Sequence, residues 1–317
     1  MRVLIALGGN AMTGPAGGAT PQEQDHAVGV AMEHVADLVA AGTEVVLTHG
    51  NGPQVGNLLV KNELAAHVVP PVPLDWCGAQ TQATIGFLVL DALDRAFAAR
   101  GIDRRTAAIV TRTLVDGADP GFTRPTKPIG RYLPADQAAT LVEHGQTWED
   151  RGARGWRRVV ASPEPLEVLD APTIRVLVDR GYVVVGAGGG GIPVVRDPDG
   201  TLRGVEAVID KDLSAALLAP AVGADVLVIA TDVEHVLLGY GTPQQRPVER
   251  ATPAELRAHA QDNEFASGSM GPKVEAVVRF VENGGRRAVI TSLDRIEDAV
   301  HGRVGTVVEE ERSGDHG

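Results

Sequence analysis

Short apolar runs alternate with stretches of helical periodicity along this chain. Residues 3–7 form one such run and end at a pair of glycines, which is typical of a buried strand followed by a tight loop. Apolar residues then recur at helical spacing from Val28 to Val39, so the pattern predicts a helix that ends before Gly42.

The same alternation continues along most of the sequence. The further strands predicted are 44–48, 107–110, 182–185, 226–229 and 287–290, and the further helices are a stretch through 58–64, about 77–100, 173–179, 212–222 and 272–283. Strands that alternate with helices indicate a mainly parallel sheet covered by helices on both faces. The expected fold class is therefore α/β.

Two segments break this pattern. Residues 112 to about 160 are rich in Pro, Gly, Arg and Trp without a sustained period, and we expect them to form an excursion from the main layer. Residues 309–317 are polar throughout, and we expect this tail to fray.

Length and charge restrict the class of partner. The 317 residues suffice for about two domains, or for one large α/β domain with an excursion. Lys and Arg total 29 against 41 Asp and Glu, a net charge of −12 that repels nucleic-acid phosphates and anionic membranes. Any site for an anion must therefore be local.

Cysteine usage and the first residues indicate a cytoplasmic protein. Cys77 is the one cysteine, so the chain forms no internal disulfide, and no Cys/His cluster has the spacing of zinc ligands. The apolar run at residues 3–7 is too short for a signal peptide. Residues 3–22 contain five glycines and two prolines, which excludes a membrane span there.

Two glycine loops are candidate anion sites. Gly8-Gly9-Asn10 and Gly50-Asn51-Gly52-Pro53 each follow a predicted strand, at the edge where open α/β sheets bind ligands. Glycine lets backbone N–H groups approach an oxyanion, and a helix N-terminus adds partial positive charge. Either loop alone is equally compatible with a tight turn, but two loops that end adjacent strand units favour a binding site.

A third glycine run, at residues 186–191, matches the dinucleotide pattern G-x-G-x-x-G, and Glu206 follows at a suitable distance. That pattern requires a helix after the glycines, whereas residues 192–195 are β-branched around Pro193 and a turn follows at residues 197–200. We therefore reject a dinucleotide site and expect these glycines to let the backbone pass close to a ligand.

Three lysines are candidate phosphate ligands. Lys211 lies between Asp210 and Asp212 at a predicted helix start, where a lysine gains nothing from the helix dipole unless an anionic ligand is present. Lys273 follows Gly-Ser-Met-Gly-Pro at another helix start, and Lys127 lies between two prolines in the excursion. The alternatives are a capping role for the aspartates and a solvated surface charge for Lys127.

Two further residues lack catalytic partners in the sequence. Cys77 is interpreted as a small buried hydrophobe and His49 as a hydrogen-bonding loop residue. We find no Ser/His/Asp arrangement for nucleophilic catalysis.

Five motifs together resemble the carbamate kinases, in that family's order over essentially the whole chain. They are Ala6-Leu7-Gly8-Gly9-Asn10-Ala11, residues 48–56 (THGNGPQVG), Thr126-Lys127-Pro128-Ile129-Gly130, Val208-Ile209-Asp210-Lys211-Asp212 and residues 268–276 (GSMGPKVEA). The wider amino-acid kinase superfamily shares the glycine loops and the late lysine.

The resemblance implies a three-layer αβα sandwich around a mainly parallel sheet. It implies one amino-acid kinase domain over residues 1–317, with residues 112–160 as a protruding subdomain, and a homodimer. It also implies reversible phosphoryl transfer between carbamoyl phosphate and ADP, giving ATP and carbamate, with Mg²⁺ as cofactor. The alternatives are another enzyme of this fold, such as N-acetylglutamate kinase, and a catalytically silent ligand-sensing module.

Motif matching implies the roles of individual residues. Lys127, Lys211 and Lys273 would contact the phosphoryl group and Asp212 would hold the lysines. The expected ligand contacts are Gly8, Gly9, Asn10, Gly50 and Asn51 for carbamoyl phosphate, and Asp210, Asp232, Tyr240, Met270 and Pro272 for the nucleotide. The three lysines and one Mg²⁺ supply about five positive charges against about five negative charges on the two substrates. The chain departs from the family pattern at residues 79–83 and 239–241.

Overall fold

The central layer is an eight-stranded sheet in which the predicted strands lie side by side. The computed structural model describes residues 1–13, 20–143, 145–265 and 270–311. The strands are β1 (Arg2–Leu7), β2 (Glu44–His49), β3 (Thr106–Ala108), β4 (Arg112–Val115), β5 (Lys127–Leu133), β6 (Thr147–Asp150), β7 (Trp156–Val160), β8 (Pro165–Val168), β9 (Val183–Val185), β10 (Ile192–Arg196), β11 (Leu202–Gly204), β12 (Val226–Thr231), β13 (Val236–Leu238), β14 (Arg246–Val248), β15 (Arg250–Ala251), β16 (Arg287–Ser292) and β17 (Thr306–Val308).

Helices cover both faces of this sheet. They are α1 (Pro21–Ala40), α2 (Gly52–Ala65), α3 (Leu74–Arg100), α4 (Pro120–Thr123), α5 (Ala135–Glu143), α6 (Ala171–Asp179), α7 (Lys211–Ala221), α8 (Pro253–Gln261), α9 (Met270–Glu282) and α10 (Ile296–Val300). The strand order is β15-β17-β16-β12-β1-β2-β9-β3, and every neighbouring pair is parallel except β16 with β17. The α/β class with a mainly parallel sheet is confirmed.

Strand β1 shows why the strands appear in the sequence as continuous apolar runs. Val3, Ile5 and Leu7 belong to the apolar cluster formed with α1 and α3. Leu4 and Ala6 belong to the cluster on the opposite face, formed with α7 and α9. Because successive side chains point to opposite faces and both faces are buried, every position in the strand is apolar.

Residues 112–160 contain regular structure that their sequence does not show. Strands β5, β7 and β6 form a three-stranded antiparallel sheet. Helix α5 packs on it, with Ala138 of the helix in one apolar cluster with Leu133 of β5 and Trp148 of β6. Strand β4 belongs instead to a four-stranded sheet of order β11-β10-β4-β8. This segment therefore forms parts of two sheets. Its sequence shows no sustained period because the strands are short and mostly half-exposed.

The end of the described chain is held by ion pairs. Glu309 accepts from Arg250 at 2.6 Å and from Arg287 at 3.1 Å, so the predicted fraying does not begin at residue 309. Residues 312–317 lie outside the described residues. None of the helices in the described ranges combines the length and apolar content that a bilayer crossing requires.

Candidate active site

A cleft of about 400 Å³ lies at the carboxyl ends of β1, β2 and β12. It is bounded by the loops after these three strands, by the N-terminal turn of α7 and by the first residues of β5. The sequence-predicted residues that line it are Gly8, Gly9, Gly50, Asn51, Lys127, Asp210, Lys211, Asp212, Asp232 and Lys273. Five separate motifs therefore contribute to one concave surface, as expected of the carboxyl edge of a parallel sheet.

Close packing of the first glycine loop against β12 requires glycine at residue 8. The N–H of Gly8 donates to the carbonyl of Ala230 at 2.9 Å, and a Cβ on Gly8 would lie 2.8 Å from that same oxygen. Gly9 has open space where a Cβ would stand, so its backbone faces the cleft without obstruction. The structure describes no side chain for Asn10, so that predicted contact lies outside the described atoms.

A buried network joins the two lysines at helix starts. Lys273 on α9 donates to Oδ2 of Asp212 at 2.9 Å, and Lys211 donates to Oδ1 of the same carboxylate. All three side chains are almost fully buried. Burial alone would raise the pKa of Asp212, but the two ammonium groups outweigh it and hold that pKa below its usual value. Asp212 is therefore an ionised positioning group that does not take up a proton.

Neighbouring groups shift the pKa of Lys211 in opposite directions. Its burial lowers its pKa, and the like charge of Lys273 lowers it further, while Asp212 and Asp210 counteract both effects. Within the buried network, the two ammonium groups of Lys211 and Lys273 share the single carboxylate of Asp212. The network by itself therefore carries one positive charge more than its carboxylate balances, which suits an anionic ligand.

Asp210 performs two functions at the N-terminus of α7. Its Oδ1 accepts the N–H of Asp212 at 2.9 Å, which caps the helix, and its Oδ2 accepts from Lys127 at 2.6 Å. The capping role and the site role are thus compatible. Lys127 belongs to β5, so this ion pair connects the three-stranded sheet to the main body.

The glycine run at residues 186–191 is followed by β10 and by an antiparallel pairing with β11, which confirms that it is not a dinucleotide loop. The expectation that these glycines serve a ligand is wrong for most of them. A Cβ on Gly188 would lie 2.4 Å from the His49 ring, and one on Gly189 would lie 2.1 Å from the Asn51 side chain. The run makes room for protein side chains, and only Gly189 among these residues lines the cleft.

Thr81 and Gln82, on α3, support the site and were not predicted to do so. Asn51 donates to Oγ1 of Thr81 at 2.9 Å. The Gln82 amide donates to the carbonyls of Gly188 and Thr111, at 2.9 and 3.1 Å, and accepts the N–H of Thr111. Both residues are polar positions on the buried face of a helix, and that pattern is the signal in the sequence that could have identified them.

The structure confirms that His49 makes a hydrogen-bonding contact and that Cys77 is buried, but it places His49 at the end of β2 and not in the loop. His49 is buried with its Nδ1 2.9 Å from the carbonyl of Gly50, and burial lowers its pKa to about 4, so the ring is neutral. Cys77 is buried, and burial raises the pKa of its thiol. Neither group is available as a base or a nucleophile.

Three predicted nucleotide contacts do not line the cleft. Tyr240 is 70% exposed, and Met270 and Pro272 lie half-buried at the start of α9. Gly268 and Ser269 lie outside the described residues. Asp232, in contrast, is open to the cleft and accepts a hydrogen bond from Thr231 at 3.0 Å.

Comparison with known proteins identifies the family. Residues 1–292 match the model of the amino acid kinase family. The chain belongs to this family. It is 45% identical over 311 residues to the carbamate kinase of Thermococcus kodakarensis, with 97% of this chain and 98% of that protein covered. It is 43% identical over 310 residues to the carbamate kinase of Pyrococcus horikoshii, with 97% and 98% covered.

A solved structure agrees with these relatives. The carbamate kinase from Giardia lamblia bound to AMP-PNP superposes with a TM-score of 0.91 at 40% identity, and 98% of each chain is covered. The family predicted from the motifs is therefore confirmed, and so are the amino-acid kinase fold and the phosphotransferase class.

Proposed function

We propose that this protein is a carbamate kinase that transfers a phosphoryl group reversibly between carbamoyl phosphate and ADP. The buried Lys211–Asp212–Lys273 network at the strand ends carries the proposal, because it places two ammonium groups beside a cleft lined by glycine backbone. The full-length similarity to carbamate kinases supports this substrate over other substrates of the family.

The reaction depends on position and charge. A β-phosphate oxygen of ADP forms a bond to the phosphorus of carbamoyl phosphate while the bond from that phosphorus to the carbamoyl oxygen breaks, which leaves ATP and carbamate. Little covalent chemistry is required of the protein, so alignment and neutralisation of charge account for the rate. Lys211 and Lys273 neutralise the phosphoryl oxygens, and Asp212 keeps both ammonium groups directed at them.

Lys127 completes the cleft from the side of β5. In the structure its ammonium group pairs with Asp210, and an incoming phosphate would compete for it. Gly8, Gly9, Asn10, Gly50 and Asn51 bind carbamoyl phosphate in this proposal. Asp210 and Asp232 face the nucleotide, and contacts from Tyr240, Met270 and Pro272 stay a prediction.

The Mg²⁺ that the resemblance implies would be held by Asp232 and by the phosphates of the nucleotide. No group of three or more candidate metal ligands is assembled in the described ranges, and Asp212 is already occupied by two lysines. The carboxylate of Asp232, open to the cleft, fits a cation that keeps most of its ligands as water and phosphate oxygen. When bound, Mg²⁺ neutralises charge on the nucleotide phosphates.

The protein is a homodimer in this proposal, joined through α3 and the nearby edge of the sheet. Trp76 and Phe87, 60% and 65% exposed, are about three helical turns apart on one face of α3. Val110, beyond the edge strand β3, is 60% exposed. Large exposed apolar side chains beside an open sheet edge are typical of an interface. We place the enzyme in the cytoplasm, which supplies ADP and keeps Cys77 reduced.

The function is tested by incubating the purified protein with carbamoyl phosphate and MgADP and measuring ATP. We expect ATP to form. ATP-dependent phosphorylation of N-acetylglutamate without turnover of carbamoyl phosphate would identify another enzyme of this fold. Binding of ligands without any turnover would identify a sensing module.

A further inference from the structure

A second cavity, of about 530 Å³, lies between α2, the start of α3 and the three-stranded sheet. Its apolar wall includes Leu59, Val72, Leu74 and Leu141. Its volume is within the range of small-molecule sites, which is about 300–1,000 Å³. The proposed carbamate kinase reaction makes no use of this cavity.

Arg158, on β7, is the cation of this cavity. Its side chain makes no hydrogen bond and no ion pair with the residues that the structure describes, although the residue is half-buried. Its guanidinium group offers five N–H donors in a planar fork that matches a carboxylate. Withdrawal from water lowers the pKa of Arg158, which is the direction expected of a cation without a close counter-charge.

Two carboxylates line the same cavity. The Glu63 carboxylate, on α2, makes no hydrogen bond with the described residues, and its charge, like that of Glu206, raises the pKa of Arg158. Glu206, which completed the rejected dinucleotide pattern, accepts the N–H of Leu74 at 2.9 Å. One positive and two negative groups therefore surround an apolar space, a combination that disfavours a simple anion.

We propose that this cavity binds an α-amino acid with a cationic side chain. The ligand carboxylate pairs with Arg158, its aliphatic stem lies against Leu59 and Leu141, and its terminal cation pairs with Glu63. The charges of the ligand then complement those of the wall. A free phosphate or a dicarboxylate lacks the group that would offset Glu63 and Glu206.

Two elements, α2 and β5, extend from this proposed ligand site to the active-site cleft. Leu59 lies about one helical turn from Val55, which lines that cleft, and both are on α2. Ile129, the cross-strand partner of Arg158, also lines the cleft and follows Lys127 closely on β5. A ligand that joins Arg158 to Glu63 would therefore hold the three-stranded sheet against α2.

The test is calorimetric titration of the wild-type protein, without turnover, so that its outcome is independent of the proposed reaction. L-lysine is the probe, and the comparison compounds are L-norleucine, which lacks the side-chain cation, 1,5-diaminopentane, which lacks the carboxylate, and L-glutamate. We expect L-lysine to bind at least about tenfold more tightly than each comparison compound. Equal affinities, or no binding of L-lysine, would overturn the proposal.

Variants locate the binding. Arg158→Gln and Glu63→Gln should each weaken L-lysine binding about tenfold, whereas Arg157→Gln, one position away on the opposite face of β7, should leave it unchanged. Hydrogen exchange of the wild type with L-lysine should slow in residues 59–66 and 147–160. Protection confined to residues 8–11 and 50–53, or unchanged affinity in Arg158→Gln, would overturn the assignment.

Discussion

Gly56 on α2 and Gly130 on β5 are in backbone contact. A Cβ on Gly56 would lie 3.0 Å from Cα and 3.2 Å from N of Gly130. Gly130 has φ of +69°, at the irregularity in the pairing of β5 with β7, and Lys127 lies three residues before it. The three-stranded sheet therefore meets the main body where a side chain on Gly56 would press against β5 near Lys127, and where the positive φ of Gly130 disfavours any other residue.

Gly56→Ala should lower kcat about tenfold or more. The added methyl group displaces β5, and a shift of about 1 Å in a group that contacts the reacting atoms can cost about 100-fold. Gly29→Ala in α1 is the matched control, because its Cβ would meet open space and its effect is limited to helix propensity. Steady-state kinetics compare the two variants, and equal kcat values would show that the contact does not position Lys127.

Lys127→Ala should raise KM for carbamoyl phosphate, lower kcat and leave ADP affinity nearly unchanged. The ammonium group reaches the cleft from β5, and closure of a mobile segment depends on contacts made only in the closed state. Hydrogen exchange in residues 112–160 should slow when carbamoyl phosphate binds to the wild type. If the variant keeps wild-type kinetics and hydrogen exchange is the same with and without carbamoyl phosphate, Lys127 is only a solvated surface charge.

Asp212→Asn should lower kcat about 100-fold or more and move the alkaline limb of the pH–rate profile to lower pH. The carboxylate is the partner of both buried lysines, and its charge opposes the lowering of the pKa of Lys211 by burial and by Lys273. Without that charge the pKa of Lys211 falls further, so the ammonium group is lost at a lower pH. A profile measured on the folded variant with an unshifted alkaline limb would contradict this role.

His49 should make the folded protein less stable as the pH falls from about 6.5 to about 4. The folded pKa is about 4 and the unfolded value is 6.5, so in this window the unfolded chain binds a proton that the folded protein does not. At pH 5 this proton uptake by the unfolded chain lowers the free energy of unfolding by about 2 kcal/mol. Urea unfolding measures the free energy of unfolding at pH 7.5 and at pH 5. The difference between these two free energies should be smaller for His49→Gln than for the wild type, and it should be unchanged for the exposed control His67→Gln.

The main layer and the motif positions could be predicted because their physical causes act locally. A strand buried on both faces must be apolar throughout, as β1 is. The glycine loops that follow β1 and β2 therefore lie at the carboxyl edge of the sheet, where Lys211 and Lys273 also line the cleft. The position of Lys127 in the cleft followed from the resemblance to a known family and not from a local pattern.

The parts that could not be predicted depend on contacts distant in sequence. The strands of the β5–β7 sheet are short and half-exposed, so their apolar positions show no sustained period. Gly188 is small because His49 lies against it, and Gln82 is polar because its amide holds the glycine run. Neither relationship has a spacing that a single sequence reveals.

The role of Lys211 in phosphoryl transfer is measured by the rate of ATP formation from carbamoyl phosphate and MgADP, for the wild type and for Lys211→Ala. We expect ATP formation by the wild type and a loss of about 100-fold or more in kcat for the variant, with nucleotide affinity changed much less, because Lys211 neutralises the transferring phosphoryl group. No ATP from the wild type would exclude the carbamate kinase reaction, and an unchanged kcat in Lys211→Ala would exclude this role for Lys211.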